Sequence, residues 1–329
     1  MKGGLLSFIK EWMLVIGMVA GASSYLLYHA IDGIHFLGPA LSDVAAVVQP
    51  LLLFAMLFLT FCKIDIRDIR IHRWQVIILL LQGIIYTAIS IFLVFFPSVP
   101  HRVGLEALML CFICPTATAC AVIAGKLGGD VTEVLTYTLL INLLASVLIP
   151  VFVPLTNPVS GMTFVNTFTR ILAKVFPLLI LPLILATLVR FTMHRLHAVL
   201  LKYTHVSFYI WAVSLTLAMA MATRFIVASK AGIEILMSIC LGSLIACAIQ
   251  FWAGRKIGAI YGDRTTSITA GQVFGQKNTV FAIWLGYTFL TPVVSVAGGF
   301  YSIWHNTFNT WQLRQMEKSR ARGGFADKS

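Results

Sequence analysis

The chain has 329 residues, of which 59% are hydrophobic and only 11% charged. A soluble domain carries about 25% charged residues, so the composition excludes a soluble globular enzyme and, equally, a disordered chain. The net charge of +12 comes from 24 Lys and Arg against 12 Asp and Glu; in so apolar a chain this excess reads as basic residues flanking membrane spans, not as a nucleic-acid surface.

A helix crossing the hydrocarbon core needs roughly 20 apolar residues. In chain order, apolar windows between polar breaks predict spans at 12–31, 40–62, 75–96, 104–125, 131–154, 173–191, 206–227, 232–252, 265–289 and 291–312. The runs are continuous, which excludes an alternating outer-membrane barrel. The first span is read as retained: it is too long for a signal peptide and no small-residue cleavage site follows it. The predicted fold is an all-α membrane protein of ten transmembrane helices, arranged as two inverted five-helix repeats with interrupted, crossing helices in spans four and nine. One polytopic domain fills 1–329. Repeat one covers about 12–154 and repeat two about 173–312, while 315–329 is a polar cytoplasmic tail expected to be disordered.

Basic residues set the expected orientation. With both termini in the cytoplasm, inner segments hold 18 Lys and Arg, and outer segments hold five: Arg102, Arg170, Lys174, Arg224 and Lys230. Such an asymmetry places both ends inside, in the inner (plasma) membrane. One basic residue, Lys277, is left over, deep inside the ninth span.

Two spans depart from plain apolar helices. In the fourth, Cys114-Pro115-Thr116-Ala117-Thr118-Ala119-Cys120-Ala121 puts a proline near the centre. Proline removes a backbone bond and clashes with the preceding turn, so the helix is expected to break there. Thr116 and Thr118 can satisfy freed carbonyls or line a cavity. The ninth span carries Gly271 and Gly275 at the spacing of close helix packing, then Gln276-Lys277-Asn278-Thr279. Four consecutive polar residues cover every face of a helix, so some must point into protein. A charge at that depth costs at least ~2.5–3.5 kcal/mol, which marks Lys277 as functional. Interrupted segments at matching places in two halves of a chain are the sequence pointer to a transporter's binding site.

Other chemistry is sparse. Cys62, Cys111, Cys114, Cys120, Cys240 and Cys247 lie in apolar stretches and read as packing residues, with neither a disulfide framework nor a metal site. The eight histidines are assigned to span ends or loops, none of the twelve acids to mid-span. An intramembrane enzyme would need a nucleophile with a base, or clustered carboxylates, and fits poorly. There is no GxxxxGK[ST] loop for ATP-driven transport.

With Cys114-Pro115 followed by Thr118-Ala119 in span four, and Gly275 followed by Asn278 in span nine, the chain resembles the bile acid:sodium symporter family. The resemblance covers essentially the whole chain. It implies that spans 1, 2, 6 and 7 form a panel and the remaining six a core that holds the ions, and that the substrate is an organic anion. It also implies ligand positions at Gln82 in span three and Thr138 in span five. Several family ligands are replaced: Cys120 and Ala121 stand in place of a serine and an asparagine, Val273 in place of a glutamate, and Lys277 in place of a glutamine. Sodium prefers oxygen ligands, and a lysine among them repels it.

The expected function is therefore secondary active transport of a small organic anion by alternating access, with Lys277 as a tethered cation in place of sodium, either exchanging protons (proton-linked transport) or acting as a fixed charge in a sodium-independent uniporter. Its binding residues are expected to be Lys277, Gln276, Asn278, Thr279, Gln82, Thr116, Thr118, Cys120 and Thr138, around helix breaks at Pro115 and Gly275. Carbonyl ends of the broken helices, Gln82, Gln276 or Thr138 are the expected partners of the Lys277 ammonium. No cofactor is expected, and sodium enters only through the resemblance. The partners are the substrate anion and the lipid bilayer, not nucleic acid. A sodium symporter with backbone ligands and an anion-selective channel remain alternatives.

Overall fold

The computed structural model describes residues 2–229 and 231–321. Among them there is no strand longer than a single bridge, and thirteen α-helices make the architecture. In order these are α1 (Lys2–Ala30), α2 (Gly38–Phe61), α3 (Arg73–Phe95), α4 (Arg102–Ile113), α5 (Cys120–Lys126), α6 (Val131–Thr156), α7 (Phe164–Thr192), α8 (His194–Lys202), α9 (Val206–Ser229), α10 (Ile233–Tyr261), α11 (Arg264–Gly275), α12 (Thr279–Phe289) and α13 (Val296–Ala321). Six stretches are uninterrupted, long and apolar enough to cross a bilayer: Asp32–Phe61, Arg73–Phe95, Val131–Thr156, Phe164–Thr192, Val206–Ala228 and Ile233–Tyr261. The chain is a multi-pass, all-α membrane protein.

Local sequence explains where these helices begin and turn. Pro39 opens α2 in the first turn, where its missing N–H costs nothing. The side chains of Asp130, Thr163, Asp263 and Asn278 accept from the backbone N–H three residues on, capping α6, α7, α11 and α12. Gly128, at φ 86°, supplies the left-handed turn between α5 and α6 that other residues resist. Exposed apolar side chains recur at helical spacing, such as Leu80 and Ile84 on α3 and Ile245, Ile249 and Trp252 on α10. These faces suit hydrocarbon rather than water.

The helices pack as two groups. One contains α1, α2, α7 and α9, with α1 and α2 on α9 and α2 on α7. In the other, α10 lies against α11, α4 and α13, and α3 against α4 and α6. The α6–α7 pair and the α12–α9 contact join them.

Thirteen helices replace the ten expected segments for three reasons. The fourth and ninth each divide in two, and residues 194–202, read as loop, form α8. No residue of α8 is buried, and its imidazole His197 lies 3.0 Å from the Cys62 carbonyl. A strongly amphipathic helix of this kind suits the membrane interface. The expected tail is also corrected in part: α13 carries residues 315–321 as helix, because nothing in that stretch stops it. Residues 322–329 of that tail, and Lys230 from the charge count, lie outside the described residues.

Candidate functional site

Pro115 and Gly275 stand where the two divided helices stop. Helix α4 ends at Ile113, and Cys114 turns extended (ψ 133°), as the residue before a proline is driven to do. Helix α11 ends at Gly275. A Cβ on Gly275 would sit 2.3 Å from the Phe251 ring of α10, and one on Gly271 2.5 Å from Arg255 Cγ. The two glycines therefore do what their spacing suggests and bring α11 close against α10.

The two interruptions cross. Thr116 and Lys277 form an antiparallel bridge. Ala117 N–H donates to the Gln276 carbonyl at 3.1 Å, and Asn278 N–H to the Pro115 carbonyl at 2.8 Å. The Thr116 hydroxyl donates to the Val273 carbonyl at 3.0 Å, and the Tyr301 hydroxyl to that of Gly275 at 2.9 Å. Both carbonyls belong to the last turn of α11, which its own helix leaves unsatisfied. Asn278 Oδ1 accepts from Phe281 N–H at 3.1 Å and starts α12. Four half-helix ends thus meet in a packed interior where each backbone group needs a partner.

Lys277 lies at the centre, 1% exposed. Its Nζ has no hydrogen-bond partner and stands 5.3 Å over the Phe274 ring. The thiols of Cys111, Cys114, Cys120 and Cys247 are buried in the same interior. Its expected partners do not serve. Gln82 donates instead to the Cys114 carbonyl (3.4 Å) and accepts from Tyr137 (3.0 Å). The Thr138 hydroxyl bonds back to Val134 in its own helix (2.8 Å), and Gln276 donates to the Gln272 side chain. Asn278 Nδ2 is likewise buried without a partner. Both of these groups are donors; Gln250, whose Nε2 bonds Tyr301 beside the same break, leaves its Oε1 acceptor unpaired as well.

Of the remaining expected residues, Thr116, Cys120 and Thr279 are buried at the crossing, with Cys120 opening α5 and Thr279 opening α12. Thr118 is half-buried in the turn before α5. Thr138 is buried on α6 but makes no hydrogen bond to the break.

Helix α13 supplies residues that sequence reasoning passed over. His305 is not at a span end: it is buried inside α13, and its Nδ1 accepts from Lys277 N–H at 3.4 Å. Tyr301, four residues earlier, also accepts from Gln250 at 3.2 Å. Tyr301, His305, Asn309 and Gln312 are all buried and recur at helical spacing, a polar stripe that the sequence shows once it is looked for. Gln312 Oε1 accepts from Arg255 (2.5 Å) and from Gln272 (3.0 Å), and Gln272 in turn accepts from Gln276. A file of side-chain hydrogen bonds thus runs from Gln276, beside Lys277, to a cavity of about 460 Å³ lined by Arg255, Asp263, Trp311 and Gln312. At the mouth of that cavity the Thr266 N–H and hydroxyl donate to Asp263 and hold its carboxyl below the usual range.

The six cysteines are free thiols, five of them buried, and among the described residues no cluster of His, Cys, Asp and Glu is arranged to hold a metal ion. No protein-family model matches the chain, and no curated protein matches it.

Proposed function

We propose that this protein is a secondary transporter that moves a small organic anion by alternating access. The observation that carries the reading is the crossing of two interrupted helices around Lys277, whose Nζ and the neighbouring Asn278 Nδ2 are buried without partners. Buried donors left unpaired cost about 1–3 kcal/mol each, more when charged. An anion delivered to the crossing would offset that cost, and a binding site near the midplane between broken helices is a recurring transporter design.

In this reading the membrane carries ten spans: α1, α2, α3, the α4/α5 pair and α6 in one half, then α7, α9, α10, the α11/α12 pair and α13 in the other. The broken pair is the fourth member of each half, which supports two five-helix repeats. Five is odd, so the second repeat is inverted, and the bias of basic residues puts both termini in the cytoplasm of the inner membrane. The two helix groups suit the panel and core of the bile acid:sodium symporter family. Lys277 takes the place of the coupling sodium, and transport runs without a sodium gradient.

Counterflow in proteoliposomes tests the proposal. Protein preloaded with a saturating carboxylate should accumulate the labelled compound, at the same rate with and without sodium. Lack of counterflow with a steady anion conductance would replace the carrier with a channel. Uptake that climbs steeply with an imposed sodium gradient, at constant pH and potential, would overturn the role of Lys277.

A further inference from the structure

A second cavity, of about 670 Å³, opens between the C-terminal end of α1, the start of α2 and α9. None of the residues lining it belongs to the helix breaks. Its volume is that of a pocket for a whole small molecule. One end is polar, with Tyr25, Tyr28, His29, His35 and Arg224; the other is built from side chains such as Leu41, Val44, Leu217 and Met221.

The polar end is held in shape by its own bonds. Arg224 donates to the Ser42 hydroxyl, which donates in turn to the Gly38 carbonyl at 2.8 Å. Tyr28 donates to the His35 carbonyl at 3.0 Å, and His35 Nε2 lies 3.2 Å from the His29 carbonyl. The Tyr25 and His29 rings stack at 6.1 Å, and the His29 and His35 rings at 6.2 Å. Among the described residues no carboxylate lines the cavity. Asp32 approaches His35 to 3.9 Å but is fully exposed, and Asp43 follows Ser42 without joining the wall. Among the described residues Arg224 is the one permanent charge there. A guanidinium presents five donors in a rigid fork, of which Ser42 takes one.

From this juxtaposition of a tethered guanidinium and an apolar chamber, we infer that the α1–α2–α9 cavity binds an acidic headgroup carried on an apolar tail. The headgroup meets Arg224, the imidazoles and the phenols, and the tail lies along Leu41, Val44 and Met221. Two sources share this chemistry, a free single-chain acid and an anionic phospholipid. The inference is independent of the transport reading, since it uses no residue of the crossing.

The test uses the full chain in nanodiscs of neutral phosphatidylcholine, with decanoate as probe and decanol as its uncharged control. A decanoic acid carrying a photoreactive group on its tail should label peptides of α1, α2 and α9, and unlabelled decanoate should suppress the labelling. Arg224→Gln should weaken decanoate binding at least tenfold and leave decanol unchanged. Leu41→Trp, which fills the chamber from an exposed position and keeps the charge, should weaken both. Nanodiscs containing phosphatidylglycerol separate the two sources: competition with decanoate assigns the site to lipid, and no competition assigns it to a free acid. Equal decanoate affinity in the wild type and both variants, or labelling confined to other helices, would overturn the site.

Discussion

Thr116 and Lys277 face each other across two backbone hydrogen bonds, one on either side of the pair. Neither residue of the facing pair bonds the other directly, so they form the closer type of antiparallel pair, with Cα atoms about 4.5 Å apart. That separation lies within the reach of a disulfide. Thr116→Cys with Lys277→Cys, in a chain whose six native cysteines are replaced, should therefore form an intramolecular disulfide on mild oxidation. Mass spectrometry of the digested protein checks it. Absence of the linked peptide from folded protein would mean that the two breaks do not cross in this register.

Replacing Lys277 separates stability from activity. Its ammonium is buried and unpartnered, so Lys277→Met removes an unsatisfied group while keeping most of the side chain's volume. Unfolding free energy should rise by about 1–3 kcal/mol. Under the proposed function, carboxylate uptake should also fall at least tenfold, because the proposed site loses its charge. Thermal unfolding and proteoliposome uptake on the same preparation make the comparison. A less stable variant would show that the lysine has a compensating partner.

The contact between Gly275 and Phe251 gives a paired test of the packing. Gly275→Ala forces a methyl into the phenyl ring, at a cost of about 1–3 kcal/mol for overpacking. Phe251→Ala alone leaves a cavity and also destabilises. Together the two changes should cost less than their sum, with a coupling of about 0.5–3 kcal/mol read from a double-mutant cycle. Simple additivity would place the ring away from Gly275.

An ion pair between the end of a span and the loop after α2 sets a pH dependence. Arg190 at the end of α7 donates to Asp65 in the loop after α2, and to the Ile64 carbonyl at 3.1 Å. The Arg67 backbone N–H, and then the two arginine charges, hold the Asp65 carboxyl below its ordinary value. A carboxyl depressed in the folded state stabilises the fold above its unfolded pKa and loses that contribution as pH falls through the folded one. Asp65→Asn should therefore lower the melting temperature at pH 7, and the gap to wild type should close in acid. A gap that stayed constant down to pH 3 would exclude the ion pair as its source.

The sequence carries the coarse architecture because hydrophobic length is read directly from it. Six long helices coincide with apolar runs, and Pro115 marks the break in span four, although Pro50, Pro150, Pro154, Pro177 and Pro182 stand inside continuous helices. That the expected partners of Lys277 bond elsewhere is not legible in the sequence, for a different reason. Gln82, Gln276 and Thr138 have the right chemistry, but each finds a nearer acceptor or donor, and only the packed arrangement settles that competition. His305 was passed over because one histidine in an apolar span carries no periodicity of its own. Its significance comes from Tyr301, Asn309 and Gln312 on the same face. The cavity beside Arg224 was invisible for the same physical reason, since it exists only once α1, α2 and α9 are side by side.

The bridge between the breaks also sets an order of assembly. The Thr116 hydroxyl and the Val273 carbonyl that it meets are 157 residues apart in the chain. When the first broken helix leaves the ribosome, the residues that will satisfy it have not been made. Its exposed backbone groups cannot stay in hydrocarbon, where each would cost several kcal/mol. The segment around Pro115 must wait in a wetter or chaperoned setting until α11 and α12 arrive. A chain released after α6 should then be recognised and degraded as unfinished, even though α1, α2, α3 and α6 are complete helices.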